Sequence, residues 1–319
     1  MHVFVTGAAG FVGSRLSKAL IARGDTVVGF DNFNDYYARN HKDRHLSDLL
    51  PLEPKFRLVE GDLRDAAGLR ELFQREKPDA VAHLAGMAAV RYSVEHPLLY
   101  ADVNVQGSVN VIDAARLAGN QPTCVLASTG SVYGRDTPVP FVETAAADHP
   151  LAPYPASKRA MELFAHSYAH LYGIPMTVVR FFNVYGPHGR PDMMPWQWTV
   201  NILAGRPLTL YNGGHLRRDW TYIDDIVGGF LLAIDKRLPN EILNLGCASP
   251  VANLAFVNIL ERLLDKQAII VDAPTPASEP LITYADVSKA RELLGYEPRV
   301  PVAEGLRRFV EWLRAERII

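Results

Sequence analysis

Six short apolar runs, each separated from the next by a longer stretch, leave this chain few folds to choose from. The runs are His2–Val5, Thr26–Phe30, Phe56–Val59, Ala80–His83, Cys124–Ala127 and Met176–Arg180. Between them, helical periodicity is expected over Phe11–Arg23, Ala66–Arg75, Tyr100–Leu117 and Tyr154–Leu171. Runs without a polar face, such as VVGF and CVLA, suit parallel strands buried on both sides. The alternation predicts an α/β fold, a Rossmann-type doubly wound parallel sheet. After about Val184, Gly and Pro become frequent (YGPHGRP, AGRP, NGG, APTPASEP), and helices such as Leu254–Leu264 and Val302–Arg314 stand between long loops. We expect a sheet domain over 1–183 and a smaller α/β lobe over 184–319, with a boundary that the chain can cross.

Charge and composition remove several function classes. The 33 Lys and Arg nearly balance 35 Asp and Glu, without a basic block, so a nucleic-acid surface lacks its phosphate-neutralising cations. No apolar run approaches the roughly 18–20 residues of a bilayer span. The opening MHVFVTG reads as a strand, not a secretory leader. Cys124 and Cys247 lie far apart with no metal spacing, as expected of free thiols in a cytoplasmic protein. The polar stretch Asn34–Pro54 is long for a strand–helix connection, so it is either functional or loosely ordered.

The turn after the first strand carries chemistry. Gly7, Gly10 and Gly13 follow that strand directly and open a helix in the spacing GxxGxxG, with Phe11 and Val12 inside it. Glycines let backbone approach a pyrophosphate, and the helix start supplies unpaired N–H groups. Asp31 ends the second strand 18 residues beyond Gly13, where an acid can hold the two ribose hydroxyls of an adenosine. Asn32 follows it rather than Arg, which favours NAD over NADP. Asp62 and Leu63, then Leu84, Ala85 and Gly86, fall at carboxyl ends of strands beside the same cleft. Each could be an ordinary turn; together they suggest adenine and ribose contacts.

Tyr154 and Lys158 form a YxxxK spacing, which places both polar tips on one helical face. A phenol with a pKa near 10 is a poor base at neutral pH, but a neighbouring ammonium and a nicotinamide's positive charge favour the phenolate. Ser128, Thr129 and Ser131 leave the fifth strand about 25 residues earlier, where hydroxyls could meet a substrate hydroxyl or ketone. The same hydroxyls could instead satisfy a turn.

These residues resemble a family. VTGAAGFVGS, VVGFDNFNDYY, VEGDLRD, VAHLAG, VNVQGSVNV, YPASK, VRFFNVYGP, RRDWTYIDDI and YADVSKARELLGYEP look like the extended short-chain dehydrogenase/reductases of the nucleotide-sugar 4-epimerase group. The Asp31–Tyr37 segment with Asn34, Val90–Ser93 with Arg91, and Gly189–Met193 with Arg190 look most like UDP-glucuronate 4-epimerases. The resemblance implies NAD as cofactor, a UDP-sugar as substrate and a homodimer built on helices Tyr100–Leu117 and Tyr154–Leu171. It also implies that Tyr154 is the base, Lys158 its partner at the nicotinamide ribose, and Thr129 the catalytic hydroxyl. Asn104 would lie on the cofactor side and Phe182 would back the nicotinamide. Asn183 would meet the phosphate or sugar, Arg218 the diphosphate, and Tyr211 would line the base.

In that reaction Tyr154 takes the C4 hydroxyl proton as C4 gives hydride to NAD, and the 4-keto sugar turns and takes the hydride back on its other face. With glucuronate the intermediate is a β-keto acid, prone to lose carbon dioxide, and we expect Arg190 to hold its carboxylate in a bidentate fork. Decarboxylases and 4,6-dehydratases of the superfamily carry an acid where this chain has Gly130 and Ser131. Asn183 is usual in galactose-type enzymes, and Pro276–Glu279 replaces a Gly-Asp pattern and lacks their Arg. UDP-glucose/UDP-galactose 4-epimerisation is therefore the alternative, ahead of a decarboxylase or a non-catalytic NAD-binding protein. His166 with His170 lacks a third metal ligand, His41 and His45 read as solvated, and Trp196 and Trp198 suit either lobe packing or sugar stacking.

Overall fold

The computed structural model describes residues 1–319. Seven strands form one parallel sheet: β1 (His2–Thr6), β2 (Thr26–Asp31), β3 (Phe56–Glu60), β4 (Ala80–His83), β5 (Thr123–Thr129), β6 (Met176–Phe181) and β7 (Asn240–Leu245). Their spatial order is β7-β6-β5-β4-β1-β2-β3, so the winding reverses between β1 and β4. Helices on opposite faces diverge at that point and leave a crevice at the carboxyl edge, where ligands bind in such sheets. Alternation along β1 shows how both faces are filled: Val3 and Val5 enter one apolar core, and Phe4 enters the other.

The helices that cover the sheet are α1 (Phe11–Ala22), α2 (Arg39–Leu46), α3 (Ala66–Glu76), α4 (Gly107–Leu117), α5 (Pro153–Tyr172) and α6 (Ile223–Lys236). Three departures from the expected layout shape the crevice. First, the sheet has a seventh strand: β7 returns from the C-terminal part and pairs with β6 from Asn240↔Met176 to Leu245↔Phe181, while α6 packs on α1. Second, the helix expected over Tyr100–Leu117 is wound as a π-helix over Ala101–Gln106 before α4 begins. That widened turn turns Asn104 fully inward. Third, the Asn34–Pro54 connection contains α2, which presents Lys42 and His45 to the interior. His45 is thus buried, not solvated: its Nδ1 lies 2.8 Å from the Ala9 carbonyl and its Nε2 2.9 Å from the His188 carbonyl.

The smaller lobe pairs Pro207–Tyr211 with Ile269–Ala273, and Arg217–Arg218 with Val251–Ala252. Trp196 packs against Phe309 and Trp312, and Trp198 against Phe256, so both tryptophans belong to this lobe's core. His166 Nδ1 lies 2.8 Å from the Asn240 amide, and no group of three or more His, Cys, Asp or Glu is placed to hold a metal ion. Cys124 and Cys247 are free, and no helix is long and apolar enough to cross a membrane.

A buried histidine beneath the crevice makes the fold acid-sensitive. His83 ends β4 with no exposure; its Nδ1 meets Thr6 Oγ1 and its Nε2 meets Ser108 Oγ, both at 2.8 Å. Thr6 Oγ1 already accepts the N–H groups of Leu84 and Ala85, so its own proton goes to Nδ1 and the ring proton lies on Nε2. Burial, reinforced by the Lys158 charge, lowers the His83 pKa to about 3. Below pH 6.5 the unfolded chain takes up a proton that the folded chain refuses, so stability falls as the pH falls. Between pH 7 and pH 5 this group alone should remove roughly 2 kcal/mol. Urea unfolding at both pH values should record that loss, and His83→Gln should flatten the dependence even if it lowers stability at pH 7.

Candidate active site

One cavity of about 540 Å³ runs along the carboxyl edge of the sheet and into the smaller lobe. At one end the glycine turn forms its floor. Gly7 has φ +72° and donates its N–H to the Phe30 carbonyl at 2.7 Å, which folds the turn back on β2. A Cβ on Gly13 would lie 2.0 Å from the Gly7 carbonyl oxygen, so α1 can approach the turn this closely only with glycine there. Gly10 caps α1 without a side chain, which leaves the first helical N–H groups directed at the cavity.

Asp31 is fixed by the same turn: Oδ2 accepts the Ala9 N–H at 3.1 Å and Oδ1 the Phe33 N–H at 2.9 Å. Lys42, which sequence reasoning missed, places Nζ 2.8 Å from the Asn34 carbonyl and 3.8 Å from Asp31. Its only signal was to be one of three cations, with Arg39 and Arg44, in a polar run. Asn32 donates to Asp62, and the Arg64 fork holds the Asp62 carboxyl well below the usual carboxylate range. Phe11, Val12, Leu63, Leu84, Ala85 and Gly86 complete this half of the lining. The glycine cradle, the free helix N–H groups and the fixed carboxylate fit a dinucleotide.

In the middle, α5 brings Tyr154 and Lys158 into the cavity, both nearly buried. A Cβ on Gly86 would lie 3.2 Å from Lys158 Nζ and 2.9 Å from Asn104 Oδ1, so glycine leaves space for both. Asn104 does not line the cavity. Its amide instead receives the Met87 N–H at 2.8 Å and donates to the Met87 carbonyl and Ser157 Oγ, each at 2.9 Å. Ser157 in turn donates to the Tyr154 carbonyl at 2.7 Å. The π-turn thus tethers the start of α5 to the loop after β4.

The protein alone does not make Tyr154 a strong base. Burial raises its pKa, opposed by the Thr129 hydroxyl beside it and by the Arg190 charge. The lowering expected from the sequence counts a nicotinamide's positive charge beside the phenol as well as the Lys158 ammonium. Lys158 itself is lowered to about 8 by burial, with Glu162 pulling it back up. Thr129 accepts the Ser131 N–H at 3.1 Å and stands 3.2 Å from Ser131 Oγ. Ser128 lines the cavity but donates its proton to Glu162, so it can offer a substrate only its lone pairs. Phe182 lies flush against Gly130: a Cβ there would meet its ring at 2.6 Å, which leaves no room for an acid.

At the far end, Arg218 is buried, and its Nη2 donates to Glu279 at 2.9 Å. The other Glu279 oxygen receives Arg91 at 3.3 Å, so this unanticipated carboxylate gathers both arginines. Asn183 lines the cavity and accepts from Thr283 Oγ1 at 3.2 Å. Tyr211 does not line it; the Arg91 guanidinium lies over its ring, 5.1 Å from the centroid. Arg190 does line it, but its fork is taken. Nε and Nη2 bind the two oxygens of Asp192 at 2.9 and 2.6 Å, an ion pair within the loop that a substrate carboxylate would have to displace to gain the expected bidentate grip.

Comparison with known proteins agrees with this geometry. The family described as NAD dependent epimerase/dehydratase matches residues 3–246. UDP-glucuronate 4-epimerase 1 of Arabidopsis thaliana is 45% identical, over 98% of this chain and 76% of that protein. The crystal structure of UDP-glucuronic acid 4-epimerase from Bacillus cereus, in complex with UDP-glucuronic acid and NAD, superposes with a TM-score of 0.91 at 31% identity. It covers 99% of this chain and all of that one. UDP-glucose 4-epimerase from Thermotoga maritima, with UDP-glucose, gives a TM-score of 0.89 at 30% identity over 99% and 100% of the two chains. A doubly wound sheet with a glycine-cradled cleft, matched by these relatives along nearly its whole length, belongs to the NAD dependent epimerase/dehydratase family.

Proposed function

We propose that this chain is an NAD-dependent isomerase that interconverts UDP-glucuronate and UDP-galacturonate by inverting C4. The observation that carries the reading is the buried Tyr154–Thr129 pair, set midway along a cavity with a glycine turn at one end and Arg91 and Arg218 at the other. The relatives named above support the cofactor and the sugar acid.

The Gly7–Gly13 turn and the start of α1 would hold the pyrophosphate of NAD, Asp31 its adenosine ribose and Lys158 its nicotinamide ribose. Bound NAD supplies the hydride acceptor and donor and a positive charge beside Tyr154. Tyr154 Oη takes the proton from the C4 hydroxyl as that carbon is oxidised, and Thr129 Oγ1 donates a hydrogen bond to the same oxygen. The Lys158 ammonium favours the phenolate over the neutral phenol. Tyr154 then returns the proton once the 4-keto sugar has turned over. Arg218 and Arg91 would hold the diphosphate during that rotation, exchanging Glu279 for phosphate oxygens. Gly130 and Ser131 place no carboxyl beside C5, which disfavours elimination and decarboxylation.

Leu163, Phe164 and Leu171 leave an apolar stripe exposed on α5, which supports a homodimer, and the free thiols support a reducing, cytoplasmic setting. The deciding experiment incubates the purified protein with UDP-glucuronate and with UDP-glucose separately, without added NAD, and follows both by NMR. C4 inversion of the acid with all six carbons retained is expected. Inversion of the neutral sugar alone would transfer the assignment to UDP-glucose/UDP-galactose, and inversion of neither would end the reading.

A further inference from the structure

Glu162 has no place in the chemistry above, yet it is the most heavily hydrogen-bonded carboxylate near it. It lies on α5 one turn beyond Lys158 and two beyond Tyr154, with 1% exposure. Four donors converge on it. Oε1 accepts from Ser128 Oγ at 2.5 Å and Arg180 Nε at 2.9 Å; Oε2 accepts from Arg180 Nη2 at 2.6 Å and Arg159 Nη1 at 3.0 Å. Ser128 and Arg180 are partners across β5 and β6, so one carboxylate spans the carboxyl ends of both strands.

We infer that Glu162 is a positioning residue for the epimerisation: it clamps the Tyr154–Lys158 face of α5 to the strand ends that carry Thr129 and Phe182. Ser128 precedes Thr129 by one residue, and Arg180 precedes Phe182 by two. The spacing between base, hydroxyl and the ring behind the nicotinamide is thereby set by one buried ion pair. The contact has a second consequence. By taking the Ser128 proton, Glu162 leaves that hydroxyl as an acceptor toward the cavity. A bidentate Arg–carboxylate pair suits this task because its planar geometry fixes direction as well as distance.

The inference rests on the proposed reaction, so the test uses whichever of the two nucleotide sugars the wild type inverts. Failure with UDP-glucuronate then overturns the sugar assignment, not the clamp. Glu162→Gln keeps the shape but turns one acceptor into a donor, facing either Ser128 and Arg180 or Arg180 and Arg159. A shift of the base by a fraction of an ångström to one ångström should lower kcat by about 10²-fold, with KM and bound NAD little changed. Glu162→Asp, which retains the charge, should recover at least about a tenth of wild-type kcat.

The pH profile separates positioning from mere support of the fold. The charged and titratable groups around the clamp are Lys158 and Arg159 on α5, Asp148 at 3.8 Å from Arg159, and Arg180 on β6, with Tyr133 under the Arg180 guanidinium and His83 facing Lys158 from β4. Among them, burial lowers Lys158 to about 8. Removing the Glu162 anion should move the alkaline limb of kcat to lower pH. Should Glu162→Gln fail to fold, Ser128→Ala cuts only the link to β5; it should lower kcat several-fold and leave the alkaline limb in place. Wild-type kcat and pH profile in folded, NAD-loaded Glu162→Gln, or unchanged kcat in Ser128→Ala, would overturn the clamp.

Discussion

Tyr154→Phe should fold normally, purify with its NAD and invert C4 about 10³-fold more slowly than the wild type, within the usual span for loss of a general acid–base. The substitution removes one oxygen and little else. The ring stays packed, edge to face, against Tyr100 at 6.2 Å between centroids, and no hydrogen bond of the fold runs through the phenol except its approach to Thr129. Cofactor retention should therefore separate from turnover. The size of the effect follows from the absence of a substitute. The Lys158 ammonium has no lone pair to offer while protonated, Ser128 is committed to Glu162, and Thr129 is far too weak an acid or base at neutral pH. The measurement is the initial rate of C4 inversion by NMR, alongside NAD released on denaturation. More than a tenth of wild-type turnover would move the base elsewhere in the cavity.

The parts legible in advance share a property: their signals are local. Ala80–His83 is apolar up to its last residue and is β4 without adjustment. The glycine turn is read from spacing alone, because its chemistry needs small residues at fixed offsets after a strand. Features that depend on contacts distant in sequence were hidden. The segment NEILNL of β7 mixes polar and apolar residues without the alternation of a strand, beside Pro239, and resembles a loop until β6 is seen to pair with it. The π-turn is a change of hydrogen-bond register, which hydrophobic periodicity does not record. His45 sits in a helix with hardly an apolar residue, so nothing near it announces burial under Ala9 and His188. The same limit applies within the site. Tyr154, Lys158 and Thr129 could be placed together from motif order, whereas the commitments of Arg190 to Asp192 and of Arg218 to Glu279 arise from folded loops. For these residues motif order tells that they reach the cavity, but not which of their hydrogen bonds are already spent.

The second large effect concerns the other end of the cleft, where backbone rather than a side chain carries the function. Gly13→Ala should strip the protein of NAD, leaving less than about a tenth of wild-type cofactor and correspondingly little activity. The added methyl would lie 2.0 Å from the Gly7 carbonyl oxygen, 2.8 Å from its carbon and 3.1 Å from Ala8 Cα. All three are backbone atoms, so no side-chain rotation relieves the clash. The turn cannot withdraw either, because Gly7 is held by Phe30 and Ala9 by Asp31. Either α1 shifts along its axis or the turn opens, and both take the first helical N–H groups away from the pyrophosphate. Overpacking of this kind costs typically about 1–3 kcal/mol, so the variant should still fold at moderate temperature, and added NAD should no longer raise its Tm. Gly228→Ala is the matched control. A Cβ there meets nothing within 4 Å, and its place inside α6 favours alanine by up to about 1 kcal/mol. That variant should keep its NAD and unfold slightly later. If Gly13→Ala instead purified with a full complement of cofactor, the pyrophosphate could not be seated on this turn, and Asp31 would lose its assignment with it.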